Sequence, residues 1–253
     1  DAFRVNESSP DLDKLHFIPT FGVPATDILM AANPGLDGIP QVAIGRISAI
    51  NGDEVATYLS KVVQYEQQQA FSSPLISDKA WMKNVVQVVG ASDANLQRTL
   101  DINMNNYKNV ITDTFYGASV HSFSKSSVDP VEQSNSTRLK NLFQEGIGIV
   151  TYFGHSSATT LEYNLDNPQN YDNAGKYPLF ILLGCNAGNF FTFNVGRLQA
   201  KETISEKYIL APDRGGIASL ASTSLGIVHY LDIHNTETYK AITKTMYGKT
   251  IGE

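Results

Sequence analysis

The sequence has little of what several common classes of protein require. Cys185 is its only cysteine, so no disulfide can form within the chain, and cysteine pairing says nothing about the redox compartment. Charged residues make up only 17% of the 253 residues, and 25 acids against 19 bases give a net charge of −6. This balance argues against a nucleic-acid partner, which normally requires a basic face. No apolar run approaches the roughly 20 residues of a membrane span.

Hydrophobic residues, by contrast, are plentiful. They make up 42% of the sequence, which is enough to bury one sizeable α/β core or two small ones. The chain opens at Asp1 without an initiator Met or a signal peptide, so we expect a processed or cloned part of a longer precursor.

Short apolar runs alternate with amphipathic segments along the chain, and they predict strands and helices respectively. The predicted strands are residues 41–44, 85–89, 110–116, 147–153, 179–183 and 216–220. Predicted helices are residues 53–65, with a stripe of Val55, Leu59 and Val62, then 96–107, 203–209 and 232–246. A further helix is capped by Ser134 or Ser136, buries Leu139, Leu142 and Phe143, and ends at Gly146. The Ser-rich residues 119–129 are predicted to form a surface loop.

This alternation predicts the fold class. Strands that are continuous apolar runs, separated by helices, indicate a mainly parallel sheet that is covered on both faces. We therefore predict a three-layer α/β/α architecture. The polar residues 67–74 predict a boundary that divides the chain into residues 1–75 and 76–253.

Two of the predicted strands end in loops that could carry chemistry. One strand is followed by His155 among small residues, and the next by Cys185 in a loop of small and amide residues. In parallel sheets, function collects beyond the carboxyl ends of the strands. A cysteine thiol needs a nearby base to become a thiolate at neutral pH, and imidazole is the usual one. Cys185 would then be a nucleophile with His155 as its base, and the N–H groups of Ser156 and Cys185 could hold an oxyanion.

The position of Cys185 alone favours a different interpretation, because a lone cysteine is more often a small buried apolar residue than a nucleophile. Four motifs bear on this choice. Residues 42–47 (VAIGRI) and the helix after them are similar to a segment FIGRF…HYER, and residues 152–157 (YFGHSS) to YTGHGS. Residues 184–190 (GCNAGNF) are similar to ACVNGDF, and residues 217–223 (IASLAST) to AIIAST. In this order, over most of the chain, they resemble the gingipain family of cysteine peptidases.

The resemblance implies a caspase-like catalytic fold of the gingipain type and a cysteine endopeptidase acting on protein or peptide substrates. It implies that residues 1–75 are the end of a first α/β subdomain, truncated at its start, and that residues 76–253 are the catalytic subdomain, truncated at its end. It also implies a secreted or cell-surface protein of a Bacteroidetes-like organism, exported by type IX secretion.

The resemblance suggests further site residues. Asp93 lies closest to the acid that orients the catalytic histidine in the family, but it could equally cap the helix that follows. Asp101 resembles the acid of the family's basic specificity pocket, with a solvated helix residue as the alternative. Ser222 and Thr223 belong to the strand beside the substrate. The tryptophan that lines the family's pocket has no counterpart around Val228, which argues against cleavage after Arg or Lys.

The resemblance also raises the question of a metal. The family binds structural calcium, and the loop of residues 166–172 is dense in oxygen ligands, although a solvated turn explains it as well. No redox or organic cofactor is expected.

Three alternatives remain open. Residues 154–158 (GHSSA) imitate the elbow of serine hydrolases, in which Ser156 would act with Asp213 or Asp232 and with His229 or His234. Pro168 and several Asn and Asp residues stand where that elbow requires a helix. A sortase of the type IX secretion system has a related domain. A non-catalytic surface module could also retain this fold, because fold does not establish activity.

Overall fold

The computed structural model describes residues 18, 20, 22, 24–33, 35, 39–70, 73–91, 93–124, 129–163, 165, 167–190 and 203–252. Within these residues, five strands form one sheet in the order β2-β1-β3-β4-β5, and every neighbouring pair is parallel. The strands are β1 (Asn84–Gly90), β2 (Ser119–Ser124), β3 (Ile149–Gly154), β4 (Leu179–Leu183) and β5 (Ala218–Ala221). The predicted parallel sheet is therefore confirmed.

Helices cover both faces of the sheet. They are α1 (Gly52–Ala70), α2 (Ile76–Lys79), α3 (Ala94–Ile111), α4 (Asp129–Glu145), α5 (Ile204–Ile209) and α6 (Val228–Lys240), which continues as a π-helical turn (Ala241–Thr245). Short 3-10 turns lie at Ile28–Met30, Ala80–Lys83 and Pro168–Asn170. Within the described residues, no helix is both long and apolar enough to cross a membrane.

Two hydrophobic cores make this a three-layer fold. One core packs α3 and α6 against the sheet through residues such as Leu100, Met104 and Tyr239. The other lies on the opposite face, where Leu139 and Phe143 of α4 and Tyr208 of α5 pack against the strands. The predicted inward face of α4 is confirmed, because Leu139, Leu142 and Phe143 are all buried.

The structure corrects several predicted elements. Residues 41–44 form no strand, and Val42 is 65% exposed, because no neighbouring strand pairs with them among the described residues. Residues 110–116 are the end of α3 and a turn, where Asp113 accepts a hydrogen bond from the Tyr116 N–H at 3.0 Å. The strand lies instead at Ser119–Ser124, within the predicted Ser-rich loop, because an edge strand that pairs on one side tolerates polar residues. Helix α4 starts at Asp129, before the predicted caps.

Helix α1 starts within one residue of its predicted start but buries an unexpected face. The Asn51 carboxamide accepts a hydrogen bond from the Glu54 N–H at 2.9 Å, as an N-cap does. The predicted inward stripe is wrong, because Val55 is 40% and Leu59 56% exposed. The buried residue is Lys61, whose ammonium donates to the carbonyls of Tyr208 at 3.0 Å and Ile209 at 2.9 Å.

The buried face of α1 connects the two predicted parts of the chain. The Tyr58 hydroxyl donates to the Ile217 carbonyl at 3.1 Å, and the Tyr177 hydroxyl donates to the Gln64 carboxamide at 2.6 Å. Lys61 meets the last turn of α5, where a cation also complements the helix dipole. The division at residue 75 stays a prediction, and contacts of α1 cross it.

We expect Lys61→Met to destabilise the protein. The substitution keeps the length of the side chain but removes the Lys61 donor from the Ile209 carbonyl and leaves the Tyr208 carbonyl with the Gly216 N–H alone, at a cost of roughly 2 kcal/mol. Denaturant unfolding should therefore show a lower midpoint with an unchanged slope. Lys140→Met, at an exposed position of α4, is the control and should leave the midpoint unchanged. Equal midpoints for both variants would show that the Lys61 contacts contribute nothing net.

Candidate active site

His155 and Cys185 follow neighbouring strands at the same edge of the sheet. Phe153 of β3 is in register with Leu183 of β4. His155 lies two residues after Phe153, and Cys185 lies two residues after Leu183. Adjacent strands lie about 4.8 Å apart, so this register brings the two loops side by side. His155 is exposed and Cys185 is partly exposed, which leaves both side chains within reach of a substrate.

A direct hydrogen bond joins the two loops. The Ser156 hydroxyl, one residue after the histidine, donates to the carbonyl oxygen of Cys185 at 2.8 Å. Gly184 makes this approach possible, because a Cβ at that position would collide with the Ser156 hydroxyl oxygen. The Ser156 side chain therefore connects the histidine loop to the cysteine loop.

The histidine turn is held from beneath by Tyr152. The hydroxyl of this fully buried residue donates to the carbonyl of His155 and accepts from the N–H of Glu162 at 2.9 Å. The His155 N–H donates to the carbonyl of Gly90 at 2.9 Å. Gly90 has to lack a side chain, because a Cβ there would overlap the Tyr152 hydroxyl. The backbone of His155 is thus fixed by β1 on one side and by Tyr152 on the other.

The cysteine loop is held by the segment that follows β5. The Asn186 N–H donates to the Ser224 carbonyl at 2.8 Å, and the Gly188 N–H donates to the Ser222 carbonyl at 2.9 Å. Asn186 has a φ of 58°, a left-handed conformation that asparagine adopts more readily than most residues. Further along the segment, the Gly226 N–H points at the Cys185 sulfur with an N···Sγ distance of 3.3 Å. A backbone donor therefore faces the sulfur of the candidate nucleophile.

Helix α6 begins directly after that contact, and buried polar groups fix it on the sheet. The Tyr107 hydroxyl of α3 donates to the Asp232 carboxylate at 2.7 Å, and the hydroxyls of Thr151 and Tyr239 are 2.7 Å apart. Burial, together with the neighbouring Asp232 carboxylate, raises the pKa of Tyr107. These bonds hold α6 on the sheet. The bond to Asp232 lies in the first half of the helix, close in sequence to Gly226.

The two acidic residues named from the sequence both lie on α3 or at its start. Asp93 is the N-cap of α3, and its carboxylate accepts from the N–H groups of Asn95 at 3.0 Å and Leu96 at 2.8 Å. The capping interpretation is therefore confirmed, while its orienting role stays a prediction. Asp101 lies two turns further along α3, and burial raises the pKa of its carboxyl group.

Ser222 and Thr223 use their hydroxyls to hold backbone carbonyls. Ser222 donates to the carbonyl of Gly184, and Thr223 donates to the carbonyl of Ala25 at 2.8 Å. Both residues line a cleft of about 750 Å³ between the outer edge of β5 and the segments of residues 24–28 and 44–48. Gly188 and Phe190 of the cysteine loop also line this cleft, whereas Cys185 and His155 are not among its described lining residues. Substrate contacts by Ser222 and Thr223 stay a prediction.

The geometry does not suit a serine nucleophile. The Ser156 hydroxyl is bound to the Cys185 carbonyl, and Ser156 itself forms an antiparallel bridge with Leu161, where the elbow would require the start of a helix. Of the proposed acids, Asp232 accepts from Tyr107 and Asp213 accepts from the Gln64 carboxamide at 2.7 Å. These acids are engaged elsewhere, so the described contacts assemble no triad around Ser156.

The predicted calcium loop gathers no ligand set in its described part. Asp166 lies outside the described residues, and the Asn167 carboxamide accepts from the Gln169 N–H at 2.9 Å as the cap of a 3-10 turn. Among the residues that the structure describes, no group of three or more His, Cys, Asp or Glu side chains could hold a metal. Structural calcium at this loop stays a prediction.

Sequence reasoning missed two contributors to the site. Tyr152 belongs to the histidine motif, but it also lies in an apolar strand, where a tyrosine is usually an ordinary core residue. Gly226 acts through its backbone N–H, and no residue-type pattern identifies such a donor. His121, which falls within the predicted loop of residues 119–129, lies in β2.

Comparisons with known proteins agree with this geometry. The chain is similar to the crystal structure of the Arg-specific cysteine proteinase gingipain R (RgpB), with a TM-score of 0.63 and 18% identity, over 92% of this chain and 52% of that one. It is also similar to the complex of Porphyromonas gingivalis RgpB pro- and mature domains, with a TM-score of 0.64 and 17% identity, over 90% of this chain and 52% of that one. The predicted caspase-like fold is thereby confirmed.

The chain spans about half the length of these two structures, at 52% of each. A search of curated proteins finds no match. A sequence model described as peptidase family C25, however, matches residues 5–253, which is nearly the whole chain. This protein therefore belongs to peptidase family C25.

Proposed function

We propose that this chain is the catalytic part of a cysteine endopeptidase in which Cys185 is the nucleophile and His155 its base. The observation that carries the proposal is the register of β3 and β4, which brings the single cysteine and a histidine to one edge of the sheet. The family and the caspase-like fold support the same chemistry. Both loops are held to each other and to the sheet by hydrogen bonds, as a preorganised site requires.

The reaction is acyl transfer. His155 takes the thiol proton, and the Cys185 sulfur attacks the carbonyl carbon of the scissile peptide bond. The backbone N–H groups of Cys185 and Ser156 stabilise the oxyanion. The imidazolium then gives its proton to the leaving amine nitrogen as the C–N bond breaks, and a thioester remains. Water attacks the thioester, His155 takes a proton from it, and the carboxylic acid product leaves as the thiol is restored.

The remaining parts of the proposal follow from the family. Asp93 would orient His155 while capping α3, and Ser222 and Thr223 would line the path of the substrate. We also propose that the protein is secreted or lies on the cell surface. Fractionated cultures of the source organism should then contain the protein outside the cell. Finding the protein only in the cytoplasm would contradict that location.

The nucleophile is tested by a pair of substitutions. Cys185→Ala should lower peptide cleavage by about a thousandfold or more, because the thioester can no longer form. Ser156→Ala removes one hydrogen bond between the loops, and activity should stay within about tenfold of the parent protein. The measurement is kcat/KM on a peptide library, with iodoacetamide labelling of Cys185 read by mass spectrometry.

The opposite ranking would contradict the proposal. Activity that survives Cys185→Ala but disappears in Ser156→Ala, together with labelling by a fluorophosphonate, would establish a serine hydrolase. No cleavage of any peptide, combined with an unreactive thiol, would favour the non-catalytic module.

The histidine turn is tested through Tyr152. Tyr152→Phe removes the hydroxyl that binds both the His155 carbonyl and the Glu162 N–H, at a cost of about 1 kcal/mol. We expect faster hydrogen exchange at the Glu162 amide and a lower kcat, with KM little changed. Tyr177→Phe is the matched control, because the hydroxyl of this equally buried tyrosine binds Gln64 on α1. If both variants change Glu162 exchange equally, Tyr152 has no specific role at the turn.

A further inference from the structure

Exposed apolar residues stand next to the backbone donor that contacts the sulfur of Cys185. The residue that donates its N–H to the sulfur, Gly226, stands between Leu225 and Ile227, which are 77% and 59% exposed. Tyr230, in the first turn of α6, is 66% exposed. Single exposed apolar residues are ordinary on protein surfaces, but these three are nearly contiguous and begin beside the candidate nucleophile.

The same apolar surface continues into the neighbouring cleft. Leu225 is one wall of that cleft, and Phe190, which closes the described part of the cysteine loop, is another. Ile28, Ile44 and Ile47 line the opposite wall, and Leu220 of β5 adds apolar surface on the near wall. Concave apolar surface with a few polar groups is typical of a site that binds apolar groups of a ligand.

The charges that line the cleft are already bound within the protein. Asp27 and Arg46 form a two-bonded ion pair with both N···O distances at 2.6 Å. Glu206 is 1% exposed, and its carboxylate accepts from the Thr203 hydroxyl at 2.6 Å and from the Thr203 N–H at 3.2 Å. Among the described residues that line the cleft, Asp27 and Glu206 are the carboxylates, so a basic substrate side chain would lose its hydration against them without gaining a free partner.

We propose that this site selects peptides that carry a bulky apolar side chain within two residues of the scissile bond, in preference to peptides with Arg or Lys there. The inference rests on the proposed peptidase function. Leu225 is the specificity-determining residue, because it is the most exposed of the three and belongs to both the sulfur's surroundings and the cleft wall. The preference differs from that of the RgpB relative, which is Arg-specific.

The test compares Leu225→Asp with the parent on internally quenched peptides, using the full-length protein. The panel places Leu, Phe, Tyr, Arg, Lys or Glu at each position around the scissile bond. The parent should prefer the apolar peptides by about tenfold or more in kcat/KM. Leu225→Asp places a carboxylate beside the sulfur, so cleavage of apolar peptides should fall at least about tenfold and cleavage of Arg and Lys peptides should rise.

Ile76→Asp is the matched control. Ile76 is 88% exposed and lies on α2, before β1 and therefore at the amino edge of the sheet, away from the nucleophile. This variant should keep the selectivity of the parent, and both variants should unfold at the same temperature as the parent.

Four results would overturn the inference. The inference is wrong if the parent prefers Arg or Lys peptides, or if Leu225→Asp leaves the selectivity unchanged. Cleavage that depends on Cys185 would in both cases still support the peptidase function. A lower unfolding temperature for Leu225→Asp alone would show that this surface is covered by protein and does not meet substrate. If neither the parent nor the variant cleaves any peptide, the peptidase function fails and the inference fails with it.

Discussion

The arrangement of the site depends on the parallel pairing of β3 with β4. Parallel neighbouring strands end at the same edge of a sheet. The register of Phe153 with Leu183 places His155 and Cys185 at equal distances along the chain from that edge. A shift of one residue in either strand would turn every side chain to the opposite face and separate His155 from Cys185. The apolar residues of β3 and β4 are buried on both faces, so such a shift would also misplace side chains in both cores.

Close backbone approach at that edge depends on two glycines. Gly90 leaves room for the Tyr152 hydroxyl, which holds the His155 turn, and Gly184 leaves room for the Ser156 hydroxyl, which holds the Cys185 carbonyl. Side chains at these positions would push the loops apart by more than a hydrogen bond can span. The chemistry therefore requires small residues next to the reactive ones, which explains why both loops are rich in glycine, serine and alanine.

The sequence predicts the sheet and the two reactive loops well because both depend on short local patterns. Strands β1, β3 and β4 are buried on both faces, and such strands are continuous apolar runs that stand out in a sequence. Edge strand β2 does not stand out, because it needs only Phe123 as a fully buried residue. The inward face of α1 could not be predicted, since Lys61 is buried by carbonyls of α5 that are 147 and 148 residues away in sequence. Backbone donors such as the Gly226 N–H depend on tertiary geometry alone.

The face that α1 buries also affects the cleft. Tyr58 binds the carbonyl of Ile217 just before β5, and Thr223 just after β5 binds the carbonyl of Ala25. Both ends of this short edge strand are therefore fixed by residues from the first part of the chain, and the Asp27–Arg46 ion pair holds that part together. The wall opposite Leu225 is thus set by residues far from the cysteine and histidine motifs. Because the two walls come from different parts of the chain, substitutions around Arg46 can alter which side chains the cleft accepts without changing any contact of the Cys185 sulfur.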